Sequence, residues 1–316
     1  MSGVPFQTSM PLQPDDRTTR LERALLALDG LSLGDAFGEQ FFRPEYEVGD
    51  LLERRVVPSS PWWPTTDDTA MAIGVVETLA EHGRIDQEAL ALRFADRYRR
   101  EPGRGYGGGA HGILGAIATG TPFREAAGGA FGGQGSFGNG AAMRVAPVGA
   151  WFADSLDDTV REARLSAEVT HAHPDGQAGG IAVAVAAAIL CRWRRDGARD
   201  VGAALLPSVL ERTPDGPTRR GIERAIQLPR SCSVVDAAHA LGTGWNVIAA
   251  DTVPFCLWVV ARHLGLYEAA LWTTVSGLGD RDTTGAIVGG LVALHVGREG
   301  LPGAWLARRE TLDVRI

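Results

Sequence analysis

Apolar residues along this chain return at every third or fourth position rather than at every second. Leu21, Ala24, Leu25 and Leu28 form one series, Met71, Val75 and Leu79 another, and Ile287, Leu291 and Leu294 a third. That spacing stacks side chains on one face of an α-helix. Runs of Val, Ile and Thr bounded by turn residues are scarce, so little supports a sheet. Short clusters of glycine and proline punctuate the helical segments: GRGYGGG at 103–109, GGAFGGQGSFGNG at 128–140 and TPDGP at 213–217. No repeat of roughly 20–50 residues marks a solenoid, and no long low-complexity linker divides the chain. The pattern predicts an all-α protein with a flexible lead-in over residues 1–17 and one many-helix domain over 18–316. Its glycine-rich connections would gather at one end to form the site. The most apolar run, Ile181 to Cys191, has the length of a buried helix rather than of a membrane span, so no membrane association is expected.

Composition narrows the chemistry. All 31 basic residues among the 316 are Arg, and there is no Lys. A P-loop, a pyridoxal Schiff base and a protein-kinase strand lysine are thereby excluded. With 45% hydrophobic and 22% charged residues, the chain has the balance of an ordinary globular enzyme. Its net charge of −7 argues against a protein whose main task is to coat nucleic acid, although it leaves room for a local Arg patch. Cys191, Cys232 and Cys256 show neither pairing logic nor CxxC spacing, which disfavours a disulfide scaffold and a structural zinc site. The first twenty residues do not read as a secretory signal. A cytoplasmic monomer is the expectation.

Four constellations could carry chemistry. Thr65-Thr66-Asp67-Asp68-Thr69 precedes a periodic segment, where Thr is a natural N-cap and acidic residues in the first turn are favoured by the helix dipole. Two carboxylates and a hydroxyl are also a hard-oxygen set suited to Mg²⁺ or Mn²⁺. Gly279-Asp280-Arg281-Asp282-Thr283-Thr284 repeats the arrangement ahead of another helix, and capping explains it equally well when it is taken alone. If the two clusters converge, they supply enough oxygens for two divalent ions. In Gly135-Ser136-Phe137-Gly138-Asn139-Gly140, small residues would let a backbone approach a ligand, and successive N–H groups at a helix start bind phosphate. Gly105-Tyr106-Gly107-Gly108-Gly109 has the same character. In Thr170-His171-Ala172-His173, a ligand-contacting imidazole at His171 is favoured over a transition-metal site.

In this order, Gly34-Asp35-Ala36-Phe37-Gly38, Thr66-Asp67-Asp68-Thr69, Gly105-Tyr106-Gly107, GSFGNGAAMRVAP at 135–147, Thr170-His171-Ala172-His173 and Gly279-Asp280-Arg281-Asp282-Thr283 resemble the ADP-ribosylglycohydrolase family. The resemblance runs from about Gly30 to Val296. It implies an orthogonal all-helical domain with two Mg²⁺ (or Mn²⁺) ions in a cleft, ligated by Thr66, Asp67, Asp68, Asp280, Asp282 and Thr283. The implied activity is hydrolysis of the bond from C1″ of ADP-ribose to a modified acceptor, which could be a protein side chain, a nucleic acid or a small molecule. Gly107, Gly108 and the Ser136–Asn139 loop match diphosphate and proximal-ribose contacts. Phe137 matches an aromatic near the adenine, and His171 a residue of the same pocket. Catalytic roles fall to Asp67, Asp68 and a nearby Glu. Relatives carry that Glu at a register that here lands on Phe42, so Glu39 is the only close carboxylate to replace it. The alternative is a protein that binds ADP-ribose without turnover. Substituting Asp67 or Asp282 is expected to spare the fold, since each is placed at an exposed helix start, and Arg144 is expected to play a structural role beside the phosphates.

Overall fold

A computed structural model describes residues 16–198 and 201–316. In chain order its helices are α1 Arg17–Glu39, α2 Glu45–Arg54, α3 Asp67–His82, α4 Gln87–Arg100, α5 Gly108–Ala118 and α6 Phe123–Gly133. Two short helices follow, α7 Gly140–Met143 and α8 Ala146–Trp151, and then α9 Leu156–Glu168, α10 Pro174–Arg195, α11 Gly202–Leu210 and α12 Pro217–Gln227. The last are α13 Val234–Leu241, α14 Ala249–His263, α15 Tyr267–Ser276, α16 Arg281–Val296 and α17 Gly303–Leu306. Among the described residues there is no β-strand, only two isolated bridges, Trp63 to Arg309 and Gly138 to Ile248. The all-α expectation holds. The lead-in expected over 1–17 lies outside the described residues up to position 15. Of its last two residues, Arg17 begins α1 and Asp16 caps it, its side chain accepting the N–H of Thr19 at 2.8 Å.

Three helices form the interior. The stretch Ile181–Leu190 of α10 is buried around its whole circumference, which explains why this run is apolar without periodicity. Its length and composition would suit a membrane, but 89% of the apolar window is covered by the rest of the protein. The other two, α1 and α16, meet backbone to backbone. Gly30, Gly34 and Gly38 recur every fourth residue on α1 and face Gly289, Gly285 and Arg281 of α16. A Cβ on Gly34 would overlap the carbonyl oxygen of Gly285, and a Cβ on Gly285 that of Gly34. The Tyr267 hydroxyl donates to the Gly30 carbonyl at 2.6 Å, closing one end of the contact.

At the other end, aromatic rings wedge the end of α1 against the segment before α3 and the C-terminal region. Phe37 stacks on Trp305 at 4.3 Å and meets Trp272 edge-on at 5.1 Å, with Trp63 5.8 Å away. The starts of α3, α5 and α16 and the end of α1 therefore open on one end of the molecule, as the glycine clusters suggested.

The α1–α16 contact makes a contrast to test. Gly34→Ala should lower unfolding free energy by about 1–3 kcal/mol or more, because a rigid backbone oxygen has to move. In Gly115→Ala, within α5, the new Cβ meets nothing within 4 Å, so the change should be neutral or stabilising by roughly 0.5–1 kcal/mol. Urea unfolding of both variants checks this, and equal midpoints would remove the close-approach argument.

Candidate active site

The two acidic clusters converge. Thr66 caps α3, its hydroxyl accepting the N–H of Asp68 at 3.4 Å and lying 3.0 Å from Asp68 Oδ2. Thr283, in the first turn of α16, reaches the same Asp68 oxygen at 3.5 Å. The second Asp68 oxygen is buried and has no hydrogen-bond partner. Asp280 occupies the N-cap position of α16 yet makes no capping bond. It accepts instead from the Asn139 side-chain amide at 2.7 Å. Capping therefore accounts for Thr66 and leaves Asp280 unexplained. Contrary to the expectation of exposed helix starts at Asp67 and Asp282, Asp67 is 7% exposed, with Asp68 beside it at 1%, and Asp282 is half-buried, because the end of α1 and the start of α16 close over the start of α3.

A fifth carboxylate was assigned no role by sequence reasoning. Asp35 is wholly buried and accepts the backbone N–H groups of Thr66 (3.0 Å) and Thr69 (3.2 Å) together with the Thr69 hydroxyl. It binds the TTDDT turn to α1. Its sequence signal was its place in Gly34-Asp35-Ala36-Phe37-Gly38, one of the segments that carry the family resemblance, to which no role was attached.

Burial, and after it the charge of Asp282, raises the Asp35 carboxyl to about 8, Asp67 to about 7 and Asp280 to about 8. The same two causes, with Asp35, Asp67 and Asp280 adding to them, hold Asp68 well above the usual range. Such shifts arise where carboxylates are crowded without compensating positive charge. Among the described residues, no three His, Cys, Asp or Glu side chains are already drawn into a metal cage. The donor set fits a hard cation through its mixed carboxylates and hydroxyls and through the unpartnered Asp68 oxygen.

Beyond the acids lies a cavity of about 480 Å³. Asp67, Asp280, Asp282 and Thr283 line one part of it, and Gly107, Gly108 and Gly109 at the start of α5 another. A Cβ would meet nothing at Gly107 or Gly108, so the start of α5 offers bare, uncrowded backbone there. This helix starts at Gly108, inside the glycine cluster itself. Ser136, Phe137, Gly138 and Asn139 also line the cavity, together with His171. A Cβ on Gly138 would stand 3.4 Å from the imidazole Nε2.

Burial and the nearby Arg144 guanidinium push His171 down to about 3, so it is a neutral ring, its Nδ1 2.7 Å from the Thr170 hydroxyl. His173 caps α10 by accepting the Asp175 N–H at 3.1 Å, a structural use for the second histidine. Arg144, fully buried, donates to the Gly140 carbonyl (3.1 Å), the Ser166 carbonyl (3.0 Å) and Thr170 Oγ1 (2.8 Å). It lines the cavity but is committed to holding the 136–140 loop and the Thr170-His171 turn.

Sequence reasoning missed the wall opposite. Asn246, Val247 and Ile248 line the cavity and pair with the glycine loop: Asn139 donates to the Val247 carbonyl at 3.2 Å, and Ala249 to that of Phe137 at 3.1 Å. Phe131 also lines the cavity, 6.1 Å from Phe137. Of the expected catalytic groups, Glu39 is at the end of α1, and burial, then Asp282, raise it to about 7. Phe42, at the register of the relatives' Glu, is 48% exposed under the Arg281 guanidinium, which also bonds the Phe41 carbonyl.

An all-helical scaffold with an acidic cluster and a glycine-lined cavity at its helix starts defines a hydrolase of one particular class. The sequence model of ADP-ribosylglycohydrolase matches residues 16–315, and the chain belongs to that family of glycohydrolase enzymes. It is similar to ADP-ribosylhydrolase ARH3 of Bos taurus, 29% identical over 334 residues that cover 90% of this chain and 88% of that protein. The Homo sapiens ARH3 is 28% identical over 265 residues, covering 76% and 73%. A solved structure described as an ADP-ribosylglycohydrolase-related protein complex superposes with a TM-score of 0.63 at 27% identity, covering 91% of this chain and 92% of its own.

Behind the TTDDT turn, Glu310 accepts the Thr65 N–H and hydroxyl, both at 3.0 Å, and is paired with Arg104 at 2.8 Å. These bonds hold its carboxyl down at about 2, the Arg104 hydrogen bond contributing most. Because its folded value lies below the ordinary 4.5, its contribution to stability is present above pH 4.5 and is lost as pH falls toward 2. Glu310→Gln should flatten the acid limb of the stability profile over that range. An unchanged limb would show that the network does not support the turn.

Proposed function

We propose that the chain is a divalent-cation-dependent hydrolase that cleaves the C1″ bond between ADP-ribose and a modified acceptor, with Mg²⁺ (or Mn²⁺) as the ion. The observation that carries this reading is the crowding of Asp35, Asp67, Asp68, Asp280 and Asp282 beside a cavity whose remaining walls are glycine backbone, small polar side chains and a neutral imidazole. Thr66, Asp67, Asp68, Asp280, Asp282 and Thr283 would hold two ions. When bound, they would orient substrate oxygens and offset charge at the reacting centre. Asp35 fixes the turn that carries three of these donors, and Asn139 fixes Asp280. The N–H groups of Gly107 to Gly109 suit the diphosphate, and Phe137 and Phe131 offer flat apolar surface for the adenine. An oxocarbenium-like ribose is favoured by the negative field of the carboxylates. Glu39, raised to about 7 and so roughly half protonated at neutral pH, is suited to donate a proton to a departing acceptor.

A panel of ADP-ribosyl-arginine, ADP-ribosyl-serine and ADP-ribosylated nucleic acid, assayed with and without EDTA, tests the reading. Release from at least one substrate, abolished by EDTA and restored by Mg²⁺, is expected, and cation-independent release would refute the ion assignment. Calorimetry with ADP-ribose separates a non-catalytic binder, which would give affinity and no turnover. Asp67→Asn should reduce turnover by about a hundredfold or more.

Proton linkage gives an independent readout. Without cation, Asp35, Asp67 and Asp280 stay protonated up to about 8, 7 and 8, whereas their ordinary value is 3.8. The folded state therefore binds more protons in between. The stability these groups contribute is complete below pH 3.8 and is lost as pH rises through 7 to 8. Mg²⁺ should restore it, more strongly at pH 8 than at pH 6, where binding has to displace more protons. Asp67→Asn, which removes a buried carboxylate that is largely ionised at pH 8, should raise the cation-free melting temperature by roughly 2–4 °C at pH 8. A cation-free melting temperature independent of pH would contradict this account.

A further inference from the structure

Arg104 opens the glycine cluster that runs into α5, and none of the chemistry above falls to it. It is not among the residues that line the cavity, yet it joins two segments that do. Its carbonyl accepts the Asp67 N–H at 2.7 Å. Its guanidinium donates to the Thr65 carbonyl at 2.9 Å and to Thr65 Oγ1 at 3.2 Å. Carboxylates grip the fork on two sides. Glu310 accepts from Nη1 and Nη2 at 2.9 and 2.8 Å, and Glu101 from Nε and Nη2, both at 2.7 Å. Glu310 is itself set by its own N–H, which donates to the Trp63 carbonyl at 2.9 Å.

Only Gly105 and Tyr106 separate Arg104 from Gly107 at the cavity wall. Gly105 takes a left-handed backbone, φ 91°, and a Cβ there would stand 3.5 Å from Asp67 Oδ1. Tyr106 is buried, edge-on to Tyr98 of α4 at 5.2 Å. The glycine loop is therefore tied to the TTDDT turn at its first residue and anchored at its third. A planar guanidinium can satisfy two carboxylates and a carbonyl at fixed angles, which an ammonium on a flexible stem cannot. An ordinary surface ion pair would account for the contact with Glu101. It does not account for the carbonyl and the side chain of one residue both ending on the same turn, at Asp67 and Thr65.

We propose that Arg104, set by Glu101 and Glu310, is a positioning residue that locks the Gly105–Gly109 loop to the Thr65–Asp68 turn, so that a cation held by the acids orders the loop as well. That the ordered loop then binds a diphosphate more tightly rests on the hydrolase reading, whereas the lock itself does not. Amide hydrogen exchange of the full-length protein, with EDTA and with Mg²⁺, reads the lock without any nucleotide. In the wild type Mg²⁺ should slow exchange across both 65–68 and 105–109. In Arg104→Gln it should slow exchange across 65–68 alone. Calorimetry with ADP-ribose under the same two conditions reads the consequence. Mg²⁺ should tighten binding about tenfold in the wild type and no more than about twofold in Arg104→Gln. A general loss of structure would lower both affinities and leave their ratio unchanged. Arg104→Lys, with the charge but not the fork, should recover only part of that ratio, and Glu310→Gln should fall between Arg104→Gln and the wild type. Protection confined to 65–68 in the wild type, protection of 105–109 that survives Arg104→Gln, or a wild-type affinity ratio in that variant overturns the proposal. Loop protection that depends on Arg104, with no ADP-ribose binding under either condition, removes the hydrolase reading and leaves the lock standing.

Discussion

The direct contact between the backbones of α1 and α16 is the constraint on which the site depends. Side chains of ordinary size keep helix axes about 8–10 Å apart. The glycines at 30, 34 and 38 and at 285 and 289 remove that spacer, so carbonyl oxygens of one helix lie where Cβ atoms of the other would be. Asp35, one residue after Gly34, and Asp282, three before Gly285, are thereby forced within electrostatic reach. Asp35 then ties down the TTDDT turn through Thr66 and Thr69, which delivers Asp67 and Asp68 to the same place. Larger residues in the stripe would separate the helices and spread the acids apart.

That closeness has an electrostatic cost which the fold does not itself offset. Five carboxylates crowd together beside the cavity, three of them, Asp67, Asp280 and Asp282, lining it, and the buried guanidinium of Arg144 is committed to two carbonyls and a threonine hydroxyl. Its charge lowers Asp67 only as the last of four influences. The positions that crowd charge are thus the ones whose replacement by neutral groups should favour the fold, the usual relation between a functional site and the stability of its scaffold. His171 illustrates the opposite use of burial: desolvation and Arg144 keep its ring neutral, so it shapes the glycine loop without adding charge beside a diphosphate.

Much of this was legible in the sequence because it is local. The period of the apolar residues identified α1, α3 and α16, and Thr66 before Asp67-Asp68 marked a helix start. Ser136 to Asn139 and His171 do share one cavity with Asp67, Asp280, Asp282 and Thr283. What escaped depends on through-space relations. Asp35 looked like an ordinary residue of a helix interior, since nothing along the chain shows that its carboxylate reaches Thr66 and Thr69. The Asn246–Ile248 wall is joined to the glycine loop by two backbone bonds, which any side chains could make. The expectation that Asp67 and Asp282 are exposed followed helix-dipole reasoning, which describes an isolated helix start and not one covered by its neighbours.

The absence of lysine acquires a definite meaning in this setting. An ammonium on a flexible stem could fold back among the acids and neutralise them in the free protein, lowering their affinity for an external cation. Guanidinium groups are planar, and the two nearest here are fixed: Arg144 on the Gly140 and Ser166 carbonyls, and Arg281 on Phe41 and the Phe42 ring. Arg281 lies between Asp280 and Asp282 in sequence, yet its side chain is directed to the end of α1 and braces the same close contact that gathers the acids. The basic residue embedded in the acidic motif therefore acts on backbone geometry, and it leaves the carboxylates to a ligand that carries the opposite charge.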